Sequence, residues 1–329
     1  MVTGTITTGD GVGLVFHQEV PEHGKYILFI AGWRQNAAQW KKQVNYLSAA
    51  GFRVTTYDMR GHGESAKPNP GYRISRFASN LNDVLTQLEL EDLTIVAHSM
   101  GCCITWAFWD QYPSSHPTWS EDQIKQMGAI FTPDAVYHTA HDMTAQTPLL
   151  VKSMLTSSVS EYDYSWTLEQ NLKMSHKNAA TLLVDHSFRD WRDVLPSINV
   201  HTLVIAGEVS IFLHTGVEWV ATQIPNAKQY TFSAEEKGSH FMFWENPDSH
   251  IVLIAKVMVF TFCFFFIFRF FSPIKISQSI LDFVDLTPST TSGSKLAEEM
   301  SMTFFGCSSW QKQELVSNMA AYTTVFTIF

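Results

Sequence analysis

Cysteine is scarce in this chain. Four cysteines stand among 329 residues, at positions 102, 103, 263 and 307. They form no C-x-x-C pair, which excludes a zinc ribbon or a dithiol redox site and fits a reducing compartment. Positive charge is short as well: 22 Lys and Arg against 31 Asp and Glu leave a net charge of −9, without the clustered basic face that a nucleic-acid partner requires. No G-x-G-x-x-G follows the first apolar runs, and the glycine-rich stretch at 9–13, GDGVG, precedes them, so a dinucleotide fingerprint is excluded. No set of His, Cys and acidic residues has metal-ligand spacing. The opening MVTGTITTGDGVGLVF lacks the basic start and apolar core of a secretory signal. The chain is therefore expected to be cytoplasmic and to work without metal, cofactor or nucleic acid.

What is present is the composition of a globular protein, 45% hydrophobic and 16% charged. Short β-rich runs alternate with helical patterns. YILFIAG (26–32), FRVTTYD (52–58) and LTIVAH (93–98) read as strands, and the stretches at 40–51, 74–90 and 100–112 read as helices. Near-continuous apolar strands separated by helices imply a mostly parallel sheet covered on both faces. From 135 to 198 the strand signal is lost and three helical patterns follow; it returns at HTLVIAG (201–207) and KQYTFSA (228–234), around a helix at 216–225. The division expected is a first core part at 1–134, a helical cap at 135–198, a second core part at 199–250, and an atypical remainder at 251–329. Inserted helices of this kind usually lie over the sheet edge where ligands bind.

In that remainder KVMVFTFCFFFIFRFFSP (256–273) is crowded with phenylalanine, and only twelve residues separate Lys256 from Arg269. That is short of the roughly 18–20 needed to span a bilayer. Phenylalanine codons are pyrimidine-rich, as are tracts before splice acceptors, so the segment has the composition of a translated intron; a membrane-seeking segment and a buried helix are the other readings. Membrane association would rest on 251–271 alone. The tail beyond 287 reads as a linker and a weakly periodic helix.

One serine asks for a chemical explanation. In TIVAHSMGCC (94–103) a buried strand gives way to a helix at Ser99, with Ala97 and Gly101 two positions to either side. Small residues there let the backbone turn sharply and lift a nucleophilic hydroxyl clear of the sheet. The same residue also suits a plain helix cap.

Three motifs in order bear on the choice. AGWRQNAAQW (31–40), GFRVTTYDMRGHGES (51–65) and VAHSMG (96–101) resemble those of the α/β-hydrolase superfamily over about residues 10–250, most closely its cofactor-free haloperoxidases and perhydrolase-like serine esterases. The resemblance implies an α/β-hydrolase fold with Ser99 as nucleophile and His240, in KGSHFMFWENP (237–247), as base. It places the oxyanion donors at the amides of Trp33 and Met100, though Ala31-Gly32 stands where the family has His-Gly. The acid departs from the pattern: Ser210 occupies the usual aspartate position in LVIAGEVS, leaving Asp134, Glu208 or no acid at all, with Asp134 preferred. Neutral serine cannot stabilise an imidazolium as a carboxylate does.

Other residues read as structural. Asp58 and Arg60 are expected to form a charge pair around a glycine turn, His62 to brace its loop and His98 to line the elbow. Most tryptophans read as core, Trp33 excepted. The implied activity is hydrolysis of a small ester, lactone or related carbonyl compound through an acyl-enzyme, with a hydrophobic ester-like substrate as partner. Perhydrolysis is a family-level possibility. Epoxide hydrolysis and dehalogenation need a carboxylate nucleophile, which Ser99 is not. The alternative is a scaffold that binds a small molecule or protein partner without turnover.

Overall fold

The computed structural model describes residues 1–19, 24–90, 93–111 and 133–255, together with 324–328; for 133–134 and 324–328 the backbone alone is described. The phenylalanine-rich run lies outside the described residues. Among those described, no helix is long and apolar enough to cross a membrane.

Eight strands form one sheet in the order β1-β2-β4-β3-β5-β8-β6-β7. They are β1 Val2–Thr7, β2 Gly13–Glu19, β3 Tyr26–Ile30, β4 Arg53–Tyr57, β5 Leu93–His98, β6 Thr202–Gly207, β7 Ala227–Phe232 and β8 Thr324–Ile328. β1 and β2 pair antiparallel, as do β2 and β4; from β4 to β7 every pairing is parallel. The β1–β2 hairpin escaped the strand assignment above, although its turn carries the signal in Thr8–Gly11, where Gly11 has φ +80°.

The parallel strands are buried on both faces, which is why they read as unbroken apolar runs. Alternate residues go to opposite sides. Ile27, Phe29, Val54, Val96, Leu203 and Ile205 join one core cluster. Leu28, Ile30, Ile95, Ala97, Val204 and Ala206 join the other. Each such aliphatic side chain stabilises the fold by about 1.5–3 kcal/mol. The first cluster is covered by α1 (Lys41–Ala49) and by Phe241–Trp244; the second by α2 (Ile74–Gln87), α3 (Met100–Gln111) and α8 (His214–Gln223).

Four further helices stand between α3 and β6: α4 Pro133–His141, α5 Met143–Ser153, α6 Glu161–Leu172 and α7 His176–Ser187. Side-chain caps start three of them, Asp142 accepting from the Ala145 amide, Ser160 from Asp163 and Ser175 from Asn178. A short helix, α9 Met242–Glu245, follows β7.

The tail holds one correction to the sequence reading. Residues 324–328, expected as part of a linker and helix, form β8 and lie between β5 and β6, parallel to both. Local periodicity carries no information about such a long-range pairing.

Candidate active site

Ser99 is the single residue between β5 and α3, half-buried, with φ +52°. Left-handed backbone at a non-glycine residue costs about 1–2 kcal/mol, and a plain cap has no need of it. The turn closes because two glycines allow backbones to meet. A Cβ on Gly101 would lie 2.8 Å from the Ala31 carbonyl and 2.9 Å from that of Ile30. A Cβ on Gly32 would lie 2.8 Å from His98 Nδ1 and 3.3 Å from Ser99 Cβ. The loop after β3 is thus pressed against the serine.

Met100 opens α3, so its amide has no acceptor within the helix and lies at the positive end of the helix dipole. In the opposing loop the neighbouring amides are engaged: Arg34 N donates to His62 Nε2 at 3.2 Å and Gln35 N to the Gly32 carbonyl at 3.2 Å. His62 also donates from Nδ1 to the Arg60 carbonyl at 2.9 Å, which fixes it as the neutral Nδ1–H tautomer; burial holds its pKa at about 4. Its bracing role is therefore specific: it pins the loop carrying Trp33. The Trp33 indole is not open to a ligand as the sequence suggested, because Nε1 donates to the Ala179 carbonyl on α7 at 3.0 Å.

His240 lies beyond β7 in the loop 233–241, with 1% of its surface exposed. No hydrogen bond joins Ser99 to His240 among the described residues; what joins the two segments is His98. Its Nε2–H donates to the His240 carbonyl at 2.9 Å, and the two rings are 4.6 Å apart. Since a carbonyl accepts, the Nε2 proton is fixed and Nδ1 is bare. Burial depresses the His98 pKa to about 3, and burial and then His98 push that of His240 well below the usual histidine range. Both imidazoles are neutral at pH 7, as a base requires.

Sequence reasoning passed over the residue that fixes the histidine loop. Glu245 accepts from Ser239 Oγ at 2.5 Å, from the Thr156 amide at 3.0 Å and from the Thr156 hydroxyl at 2.5 Å, tying His240's neighbour to the segment after α5. Its signal was present in the E-N-P that follows the histidine. Gln43 and Lys42 of α1 add bonds to the Phe243 and Trp244 carbonyls, both at 2.6 Å.

The acid position is occupied by a neutral group. Ser210 Oγ stands 3.4 Å from His240 Nδ1. The Glu208 carboxylate accepts from the Ala234 amide at 2.8 Å, and no hydrogen bond joins it to His240 among the described residues. Asp134 is the second residue of α4, and its side chain lies outside the described residues.

The expected Asp58–Arg60 pair is likewise corrected. Asp58 accepts from the amides of Ala37 at 2.8 Å and Glu64 at 2.7 Å, and Arg60 donates from Nη2 to both carboxylate oxygens of Asp10, at 2.6 and 2.7 Å. Gly63, at φ +46°, is obligatory there, since a Cβ would fall 2.0 Å from the Asp58 carboxylate. The two charges hold two different loops.

Strand order, crossover helices and the serine on its left-handed turn after β5 belong together, and the comparisons agree: a model for the alpha/beta hydrolase fold matches residues 25–116. This is an α/β-hydrolase-fold protein. The non-heme chloroperoxidase CPO-A1 of Kitasatospora aureofaciens is 44% identical over 95 residues, 29% of this chain and 34% of that protein. The chain thus aligns with about a third of that relative's length. A putative non-heme chloroperoxidase of Synechocystis is 28% identical over 251 residues, 68% of this chain and 88% of the relative. Among solved structures, the esterase of Exiguobacterium antarcticum superposes with a TM-score of 0.69 at 22% identity, covering 78% of this chain and 99% of the esterase. At that identity the likeness concerns the fold alone.

Proposed function

We propose that the protein is a serine hydrolase that opens a small ester or lactone through an acyl-enzyme, with residues 135–198 as a cap over the site. The observation that carries this reading is Ser99 in left-handed backbone at the strand-to-helix turn. Ser99 attacks the carbonyl, and His240 takes its proton and returns it to the leaving alkoxide. The Trp33 and Met100 amides hold the developing oxyanion, an arrangement whose single donors are each worth about 10²–10³ in rate. Apolar residues from the cap, Met143, Val136 and Leu182, share a core cluster with Trp33 and Met100 and favour a substrate with a hydrophobic body. Water completes deacylation.

Labelling with a fluorophosphonate, followed by mass spectrometry of the adduct, tests this directly. Ser99 is expected to be modified, and Ser99→Ala and His240→Ala to abolish the adduct. A folded protein that stays unlabelled supports the second reading, a binding scaffold without turnover, which one observation favours: the neutral Ser210 at His240 Nδ1. Asp134→Asn tests the remaining carboxylate. A fall in turnover of about a hundredfold or more would install Asp134 as the acid, and unchanged turnover would leave Ser210 as the partner of the base.

A further inference from the structure

Arg34 follows the proposed oxyanion donor in sequence, adopts φ +57° and is 1% exposed, yet no carboxylate pairs with it among the described residues. Its Nη1 donates to Thr147 Oγ1 on α5 at 2.6 Å and its Nη2 to the Met174 carbonyl, between α6 and α7, at 2.9 Å. Nε is buried with no partner. Both acceptors are neutral. Asp58 and Glu64 are committed elsewhere, Asp58 to the Ala37 and Glu64 amides and Glu64 to Lys173 at 3.3 Å. Burial drags the guanidinium pKa down to about 10. At neutral pH the group therefore stays charged, and a buried cation without a counter-ion is among the costliest groups a fold can hold.

The two segments joined through Arg34 and Asn36, the loop after β3 and the end of α6, carry further unsatisfied polar groups. Both amide atoms of Gln35 and of Gln39 are buried without partners, as are Thr167 Oγ1 and Asn171 Oδ1. Thr167 and Asn171 are one turn apart on α6, on the face that also carries Gln170, whose Oε1 accepts from Asn36 Nδ2 of the loop at 3.0 Å. Met174, whose carbonyl Arg34 binds, follows just beyond the end of α6. Loop and helix thus meet along a polar seam. Ordered water would satisfy the amides and the hydroxyl, but water does not neutralise the charge of Arg34.

We propose that this seam binds a carboxylate carried by the substrate, with Arg34 as counter-ion and Gln35, Thr167 and Asn171 as polar lining. The substrate class is then narrower than a small ester: an ester or lactone whose acyl part ends in a free carboxylate. A Cβ on Gly32 would lie 3.3 Å from Ser99 Cβ, and Arg34 stands two positions further along the chain, at most about 7 Å of backbone. A spacer of a few methylenes between the carboxylate and the reacting carbonyl fits that reach. The inference rests on the hydrolase reading for the reaction, but its binding test does not.

The test uses full-length Ser99→Ala protein, which cannot turn the ligand over, and calorimetric titration with monomethyl glutarate and its neutral counterpart dimethyl glutarate. The monoester is expected to bind at least tenfold tighter, and Arg34→Gln to remove the difference. Because Arg34 also tethers α5 and the α6–α7 connection, Asn171→Leu is the second variant. It keeps the tether and is expected to weaken the monoester selectively. Equal affinities, no binding of either ligand, or a preference that survives Arg34→Gln in folded protein would overturn the proposal. Fluorophosphonate labelling of Ser99 without a carboxylate preference removes the subsite and leaves the hydrolase. A preference without labelling does the reverse.

Discussion

At the scale of single residues, the turn that carries the proposed nucleophile was legible and the surroundings of the proposed base were not. Ser99 could be found because the elbow is local: strand, small residue, serine, small residue and helix are contiguous, and the backbone that strains Ser99 is set by its neighbours. Ser210 was legible only as a departure from a family pattern. That its hydroxyl faces His240 Nδ1, while Glu208 turns to the Ala234 amide, depends on how two loops pack. The position supports a gain-of-function experiment. Ser210→Asp would give the imidazolium a charged partner, and turnover is expected to rise about tenfold to a hundredfold, short of the 10⁴ that separates a correct from an incorrect partner in an optimised triad. The pH profile separates this from a structural effect. Burial holds the pKa of His240, the proposed base, well below the usual histidine range, so the acid limb of kcat/KM is expected below that range in the native protein. A carboxylate beside the ring favours its charged form, so the limb is expected to move upward in Ser210→Asp. No change in either quantity would mean that Ser210 does not orient His240 for catalysis.

Gly32 offers a second test at this scale. Its α-hydrogens stand where a methyl would press on His98 and Ser99. Gly32→Ala is expected to cut turnover by at least tenfold, by displacing the loop amide, while the melting temperature shifts by only a few degrees, as for a cost of about 1–2 kcal/mol. Wild-type turnover in a folded Gly32→Ala protein would show that this loop does not hold the oxyanion.

At the scale of elements, β5 has a neighbour on each side, and one of them comes from far along the chain. β3 pairs with it from Tyr26 to Ile30 and β8 from Thr324 to Ile328. Without β8, both β5 and β6 would present unpaired parallel edges in the middle of a sheet, a state open to aggregation. Deletion of 324–329 is therefore expected to yield protein that elutes as aggregate and loses Ser99 labelling. A monomeric, labelled product would show that the sheet closes without this strand. Helices α5 to α7 make a different kind of contact, fixed by single side chains. Trp244 Nε1 donates to Asp163 at 2.9 Å, its ring stacks on Trp166 at 4.4 Å, and the Ile74 amide donates to Asp185 at 2.9 Å. Existence of these helices followed from their periodicity. Their docking followed from residues such as Asp163 and Asp185, which on the sequence alone are ordinary polar positions.

At the scale of the whole molecule, four histidines buried in the neutral state link stability to pH. His62, His98, His240 and His250 each have at most 1% of their surface exposed, and burial lowers the pKa of all four, to about 4 for His62 and about 3 for His98 and His250. In the unfolded chain each would titrate near 6.5, so below that pH the unfolded state binds protons that the native state refuses. Stability is therefore full above pH 6.5 and falls as pH drops from there toward 4, by about 1.4 kcal/mol per pH unit for each histidine fully in its window. Asp58, whose pKa burial raises, acts in the opposite direction within the carboxylate range. Urea unfolding at pH 7.5, 6.5 and 5.5 is expected to show a steady loss of midpoint below 6.5. A flat profile would mean that these rings accept protons in the native protein.

The sequence by itself determined the parallel core, the elbow at Ser99 and the histidine loop at 240, because each is written in adjacent residues whose backbone preferences and hydrophobic period act locally. Only the tertiary structure decided which hydroxyl faces His240, that Arg60 answers Asp10 and not Asp58, that Arg34 is buried with no carboxylate paired to it among the described residues, and that the fifth and sixth strands are separated by the eighth. Those outcomes join residues tens to hundreds of positions apart. The free energy that selects among such partners comes from burial and charge in three dimensions, which no window of sequence contains.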